Sequence, residues 1–249
     1  MNDVLARLPS PKPEDQETYE DQETYDERDD RLARERLQVV ADRSRPITLA
    51  RDQTLPLVEP LATLFPEGRL RRGITVAVRG PGSTTLGFAL AASASAAGSW
   101  VAMVGVADAN LATAAELGVA LERVAVMQPP PAQWSATVAA VIGAFDIVVL
   151  APCHRVSAGD ARRLMARARE RGSVLITLMR TTHAWPERVD AELSISTLHW
   201  QGLGQGHGNL RARVARVDMT GRRELARLRQ GEFVLPDASG HLACALGER

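Results

Sequence analysis

The chain has 249 residues, 45% hydrophobic and 24% charged, with 30 basic and 30 acidic side chains that cancel. That length holds one full domain with tails, or two small ones, and no apolar run approaches the ~18–20 residues of a membrane span. The start lacks the basic-then-apolar pattern of a secretory leader, and Cys153 and Cys244 lack metal-ligand spacing, so a disulfide framework and a zinc site are not indicated and a cytoplasmic setting is expected.

The zero net charge hides a split. Residues 14–30 hold ten acids against one base, Arg28, for a net −9, leaving +9 elsewhere. Together with Pro9, Pro11, Pro13 and a tandem six-residue repeat (14–19, then 20–25), this composition suits a disordered arm. The arm is either a solubilising tail or a polyanion that covers a basic surface. A short helix is expected over 30–42, and Pro46 closes that region, giving an appendage over 1–45. Lys12 is the only lysine, an arginine bias that either reflects a GC-rich genome or suits phosphate and carboxylate recognition.

From residue 55 the pattern becomes that of a domain, expected over 46–235. A short helix over 56–65 and a turn at Pro66-Glu67-Gly68 come first. The apolar run 74–78 has strand length and composition. Arg79-Gly80-Pro81-Gly82 breaks it, and Ser83 or Thr84 caps a helix running to about 97. Next come a strand over 100–106, then a helix capped by Asn110 that ends at Leu117, with Gly118 just past it. A strand over 123–127, a stiff loop at 129–131, a helix over 134–145 and a central strand over 146–150 follow. Ser157 with Asp160 three residues on marks the start of a helix to Arg171, ended by Gly172, and 173–179 is one more strand. This alternation predicts a mainly parallel sheet covered by helices on both faces. Beyond Pro186, runs over 192–200 and 210–218 flank a glycine-rich loop and predict an antiparallel pair added at the sheet edge. A last strand is expected over 231–235, and 236–249 as a loose tail.

The segment 70–90, a strand then Gly-Pro-Gly, Thr84-Thr85-Leu86 and an alanine-rich helix, resembles the first strand–loop–helix of the RecA family. The stretches Ala114-Ala115-Glu116-Leu117-Gly118-Val119 and Val126-Met127-Gln128-Pro129 are similar to the part joining that family's second and third strands. The run 145–150 falls where its Walker B strand belongs. The resemblance spans about 55–220, and its nearest form is the actinobacterial branch of ImuA-type proteins, which the segment 200–213 also resembles. It implies a RecA-like sheet, a role in damage-induced (SOS) mutagenesis and translesion synthesis, and two partners. These are an ImuB-like Y-family polymerase homologue and an error-prone DnaE-type polymerase. DNA contact is expected to be indirect, with association to the nucleoid on damage.

Against the chemistry of nucleotide hydrolysis, three groups are missing. A P-loop needs a lysine after its second glycine to neutralise the β- and γ-phosphates. The stretch Gly80, Pro81, Gly82, Ser83, Thr84 and Thr85 offers none, whether it is aligned without a gap or with a shortened loop. The Walker B aspartate that holds Mg²⁺ is absent from Leu150-Ala151-Pro152, and Asp146 lies at the wrong end of that strand. The catalytic glutamate is replaced by Val106, with Asp108 either a shifted acid or a surface-loop aspartate. Each such group is worth orders of magnitude in rate. The expectation is a vestigial P-loop with no catalytic residue, cofactor or metal, and a protein that acts as a scaffold.

Other features have two readings each. Gly80-x-Gly82 with Asp108 is a fragment of a dinucleotide fingerprint, but Thr85 stands where the third glycine belongs. Thr84 and Thr85 at a helix start hold an anion through backbone amides, or serve only as first-turn residues. The five histidines are scattered without ligand spacing. Cys153-His154 is a nucleophile and base, or two loop residues lacking an orienting third group. Arg162, Arg163, Arg167, Arg169 and Arg171 form a solvated helix face or a basic patch. Arg211, Arg213 and Arg216 are candidate contacts to DNA or a partner, the first two sharing one strand face and the third lying on the other. Trp134 and Trp200 are core residues or interface anchors. The rival functions are a SulA-like cell-division inhibitor and a divergent nucleotide-binding enzyme.

Overall fold

The computed structural model describes residues 53–106, 109–179, 185–203 and 207–245. The acidic arm, the helix expected over 30–42 and Asp108 lie outside them.

The elements run in chain order as β1 (Thr54–Pro56), α1 (Glu59–Ala62), β2 (Arg69–Arg71), β3 (Thr75–Arg79), α2 (Ser83–Ala96), β4 (Val101–Val104), α3 (Leu111–Glu116) and β5 (Val124–Met127). Then come α4 (Pro131–Val141), β6 (Ile147–Leu150), α5 (Ala158–Arg171), β7 (Val174–Met179), β8 (Ala191–Leu203), β9 (Gly208–Gly221), β10 (Arg229–Val234) and β11 (Ala243–Cys244). Among the described residues nine strands form one sheet in the order β11-β10-β9-β8-β3-β7-β6-β4-β5, while β1 and β2 form a separate antiparallel pair. From β8 through β5 the neighbours are parallel; β9, β10 and β11 continue antiparallel.

The expected parallel sheet with helices on both faces is present, and the strands show why their sequences are continuously apolar. Side chains alternate across a strand, and here both faces are buried. Val101, Met103, Ile147, Val149, Val174 and Ile176 enter one core, with α2 and α3. Ala102, Val104, Val148, Leu150 and Leu175 enter the other, with α4 and α5. α2 is buried along most of its length, which its small residues permit. A Cβ at Gly87 would lie 2.8 Å from Leu178 Cδ2, so this helix rides close on β7. α5 buries only Ala161, Leu164, Met165 and Ala168, one helical stripe. Its arginines face outward, where Arg162 pairs with Glu187 at 3.4 Å and Arg169 with Asp190 at 3.6 Å.

Several local signals read as expected. Asn110 Oδ1 accepts from the Ala112 and Thr113 amides, and Gly118 has φ +90°. Ser157 Oγ accepts from the Asp160 amide and donates to its carboxylate, and Gly172 ends α5 in the left-handed region.

Other expectations require correction. The helix expected over 56–65 shrinks to the single turn α1, because Thr54–Pro56 pairs with Arg69–Arg71 and bends the chain away. α4 starts three residues early, since a proline fits the first helical position without losing a bond, and it ends at Val141 before Gly143 at φ +88°. The antiparallel pair expected at the sheet edge is present as β8 and β9, which extend the parallel strands beyond β3; β8 is itself parallel to β3, and the pair is longer than expected. The tail is not loose through its first ten residues: Asp237 Oδ1 accepts from the Ser239 and His241 amides, and the resulting turn returns Ala243 and Cys244 to pair with β10.

Candidate functional site

Chain connections leave β3 toward β4 on one side and leave β7 toward β8 on the other, so the crevice at their carboxyl ends is the topological switch point where α/β folds bind ligands. The loop after β3 lies there. Gly80 and Gly82 have φ of +96° and +82°, and Gly82 is the residue that precedes the first turn of α2. The Ser83 amide donates to the Gly80 carbonyl at 3.2 Å, and the Leu86 amide to the Gly82 carbonyl at 3.0 Å. Neither Ser83 nor Thr84 caps the helix, a correction with a steric reason. The left-handed glycine starts the helix one residue earlier and leaves Ser83 buried within it.

Both glycines are fixed by what approaches them. A Cβ at Gly80 would sit 2.2 Å from the Ile195 carbonyl oxygen of β8, and one at Gly82 would sit 2.0 Å from Arg213 Nη2. Arg213 on β9 is 5% exposed. Its Nε donates to the Leu235 carbonyl at 2.8 Å and its Nη1 to the Pro81 carbonyl at 2.9 Å. Its guanidinium carbon lies 5.8 Å from the Trp200 ring. Among the described residues no carboxylate pairs with it, and burial pulls its pKa below the ordinary arginine value. It stays charged at neutral pH because that ordinary value is so high. Thus the glycine loop is held by a cation from a strand more than 130 residues downstream. It also lies at the positive end of the α2 dipole.

The three arginines singled out on β9 are therefore separated. Arg213 turns into the loop, Arg211 stays exposed, packed over Gly202, and Arg216 on the opposite face pairs with Glu232 at 2.8 Å. Local sequence carries no sign that Arg213 reaches Gly82, because the contact depends on the β8–β9 register and its bulges between Thr197 and His199 and between Gln201 and Leu203.

At the neighbouring strand ends, β6 is wholly buried and runs into Ala151, Pro152 and the exposed free thiol of Cys153. Gly105 approaches the Ala151 carbonyl so closely that a Cβ would lie 2.6 Å from it. The Trp134 and His154 rings meet edge-on at 5.3 Å, with Trp134 Nε1 and His154 Nδ1 buried and unpartnered. Asp146, at the far end of β6, is structural: it pairs with Arg72 at 2.7 Å and accepts from the Trp100 amide at 2.9 Å. No cluster of His, Cys, Asp and Glu with metal-binding geometry occurs among the described residues, and none of their helices is long and apolar enough to cross a membrane.

This fold, with its glycine loop at the switch point, defines a RecA-like α/β protein. In agreement, the crystal structure of the RadB recombinase superposes with a TM-score of 0.51 at 15% identity, over 70% of this chain and 91% of that one. The model of the MT3502 N-terminal domain matches residues 63–187, and the chain belongs to that family. It is also 38% identical over 96 residues to the uncharacterized protein Rv3395c of Mycobacterium tuberculosis. That match covers 38% of this chain and 47% of the relative, so the chain spans about half the length of the curated relative it matches.

Proposed function

We propose that this chain is a non-catalytic RecA-like accessory protein of damage-induced mutagenic repair. In this reading it is an ImuA-type scaffold that binds an ImuB-like polymerase homologue and a DnaE-type polymerase. One observation carries the non-catalytic part: the loop after β3 is tied down by Arg213 instead of presenting a free lysine. Two of the guanidinium's three nitrogens donate to protein carbonyls. A phosphate-transfer site needs a cation and a metal-holding acid aimed at the ligand. Here the strand in the Walker B position ends in Leu150-Ala151-Pro152. The polymerase partners rest on the resemblance of 55–220 to ImuA-type proteins.

Two measurements test it. Calorimetry and phosphate-release assays with ATP and Mg²⁺ should give no binding heat at millimolar nucleotide and no turnover. Turnover abolished by Thr84→Ala with Thr85→Ala would refute the non-catalytic reading. Affinity purification of the full chain from cells exposed to ultraviolet light should recover both polymerase-type partners, and recovery of neither would refute the scaffold role.

A further inference from the structure

The end of the sheet opposite the glycine loop is dense in arginine. The Arg72 amide donates to the carbonyl of Gln53, the first described residue, at 2.8 Å, and the Arg222 amide donates to the Asp190 carbonyl at 2.9 Å. The Asp190 carboxylate accepts from the Thr75 amide and lies 3.6 Å from Arg169. Arg71 pairs with Glu224 at 2.7 Å, both more than half exposed. These contacts make Gln53, the β1–β2 pair and residues 222–227 one surface. Its acids Asp190 and Glu224 are already engaged, and Glu67 is the exposed acid left on the rim. By contrast Arg222, Arg223 and Arg227 are exposed without an ion pair among the described residues, and Arg229 Nη1 is buried without a partner. Within this surface opens a cleft of about 240 Å³, with Phe65, Ile74 and Leu225 in its lining beside Arg69 and Arg71.

An acidic ligand with an aromatic ring fits such a surface, and the chain carries one. Residues 14–30 hold ten acids, a single base and both tyrosines of the protein, Tyr19 and Tyr25, in the repeated order of acids followed by tyrosine. We propose that this arm docks on the arginine surface around Gln53, its carboxylates against Arg222, Arg223 and Arg227 and a tyrosine in the cleft. Residues 31–52 join arm and surface, and a link of 22 residues reaches at most about 75 Å fully extended. The arm's effective concentration at the surface is therefore on the order of millimolar. Other polyanions must displace it. The joining segment has six arginines of its own against three acids, so changes on the surface, and not removal of the arm alone, decide where the arm sits.

The test uses the full chain with Cys153→Ser and Cys244→Ser and a nitroxide on Thr24→Cys. At 50 mM salt, amide signals of 69–71 and 222–227 should broaden, and they should recover at 0.5 M salt, where screening length falls to about 4 Å. Deleting residues 1–30 should tighten heparin binding about tenfold at low salt, with the gain fading as salt rises. Arg222→Glu, Arg223→Glu and Arg227→Glu together should abolish both the broadening and the gain. These side chains are exposed, and an unchanged thermal transition verifies the fold. Broadening confined to 31–52 or to the β8–β9 ribbon, or equal heparin affinity with and without the arm, would overturn the proposal. Neither result bears on the polymerase partners.

Discussion

Replacing Arg213 with alanine isolates the interaction that shapes the glycine loop. The substitution orphans the Leu235 and Pro81 carbonyls, which accept from the guanidinium at 2.8 and 2.9 Å. Hydrogen bonds from a charged donor contribute about 1.5–3 kcal/mol each, and the contact with Trp200 adds about 0.5–1 kcal/mol. Against this stands the cost of burying a cation with no carboxylate beside it, which is several kcal/mol and is relieved by the mutation. The expected net loss is about 2–4 kcal/mol. Urea unfolding should show it as a lower midpoint at unchanged slope. The Gly82→Ala variant completes a cycle. In the parent it carries both the left-handed backbone cost of about 1–2 kcal/mol and the collision with Arg213 Nη2. In the Arg213→Ala background only the backbone cost remains, so the two changes should couple by at least about 1 kcal/mol. Additive effects, or an Arg213→Ala protein within about 0.5 kcal/mol of the parent, would refute the guanidinium's role.

Other outcomes follow from the same geometry. Gly80→Ala meets a backbone oxygen that cannot swing aside, so it should destabilise by more than about 3 kcal/mol or prevent soluble expression. Asp146→Ala removes the partner of Arg72 and the acceptor of the Trp100 amide and should cost about 1.5–3 kcal/mol in urea unfolding. The Ser157 hydroxyl, and then Arg163, hold the Asp160 pKa below its ordinary value. This pair's contribution is therefore fully present above the unfolded carboxylate pKa and is lost as pH falls through the lower folded one. Ser157→Ala should cost about 1 kcal/mol at neutral pH and flatten the acid limb of a stability–pH profile, as measured by circular dichroism.

The sheet was legible because each β–α unit carries its own punctuation: Asn110 and Gly118, Ser157 and Gly172, and apolar runs of strand length. These signals act within a few residues, so chain order suffices to see them. The region before β3 misled because Leu57, Leu61, Leu64 and Phe65 have helical spacing, yet the pairing of Thr54–Pro56 with Arg69–Arg71 overrides it. At the site, sequence identified Gly80 and Gly82 but grouped Arg213 with Arg211 as a surface contact. Alternation put both on one face, and nothing local distinguishes the residue beneath Trp200 from the one beyond it. Which arginine reaches the loop follows from register between segments far apart in sequence, the information that a one-dimensional pattern lacks.

The two margins of the nine-stranded sheet have a consequence for assembly. On one side β11 offers only two residues; on the other β5 offers four, followed by Gln128 and then Pro129, Pro130 and Pro131, none of which can donate a backbone hydrogen. Among the described residues neither margin offers a long strand, so backbone pairing with another chain falls to the β8–β9 ribbon, where β8 runs on past its last β3 partner, Ser194, to Leu203 and β9 pairs with β10 only from Val214.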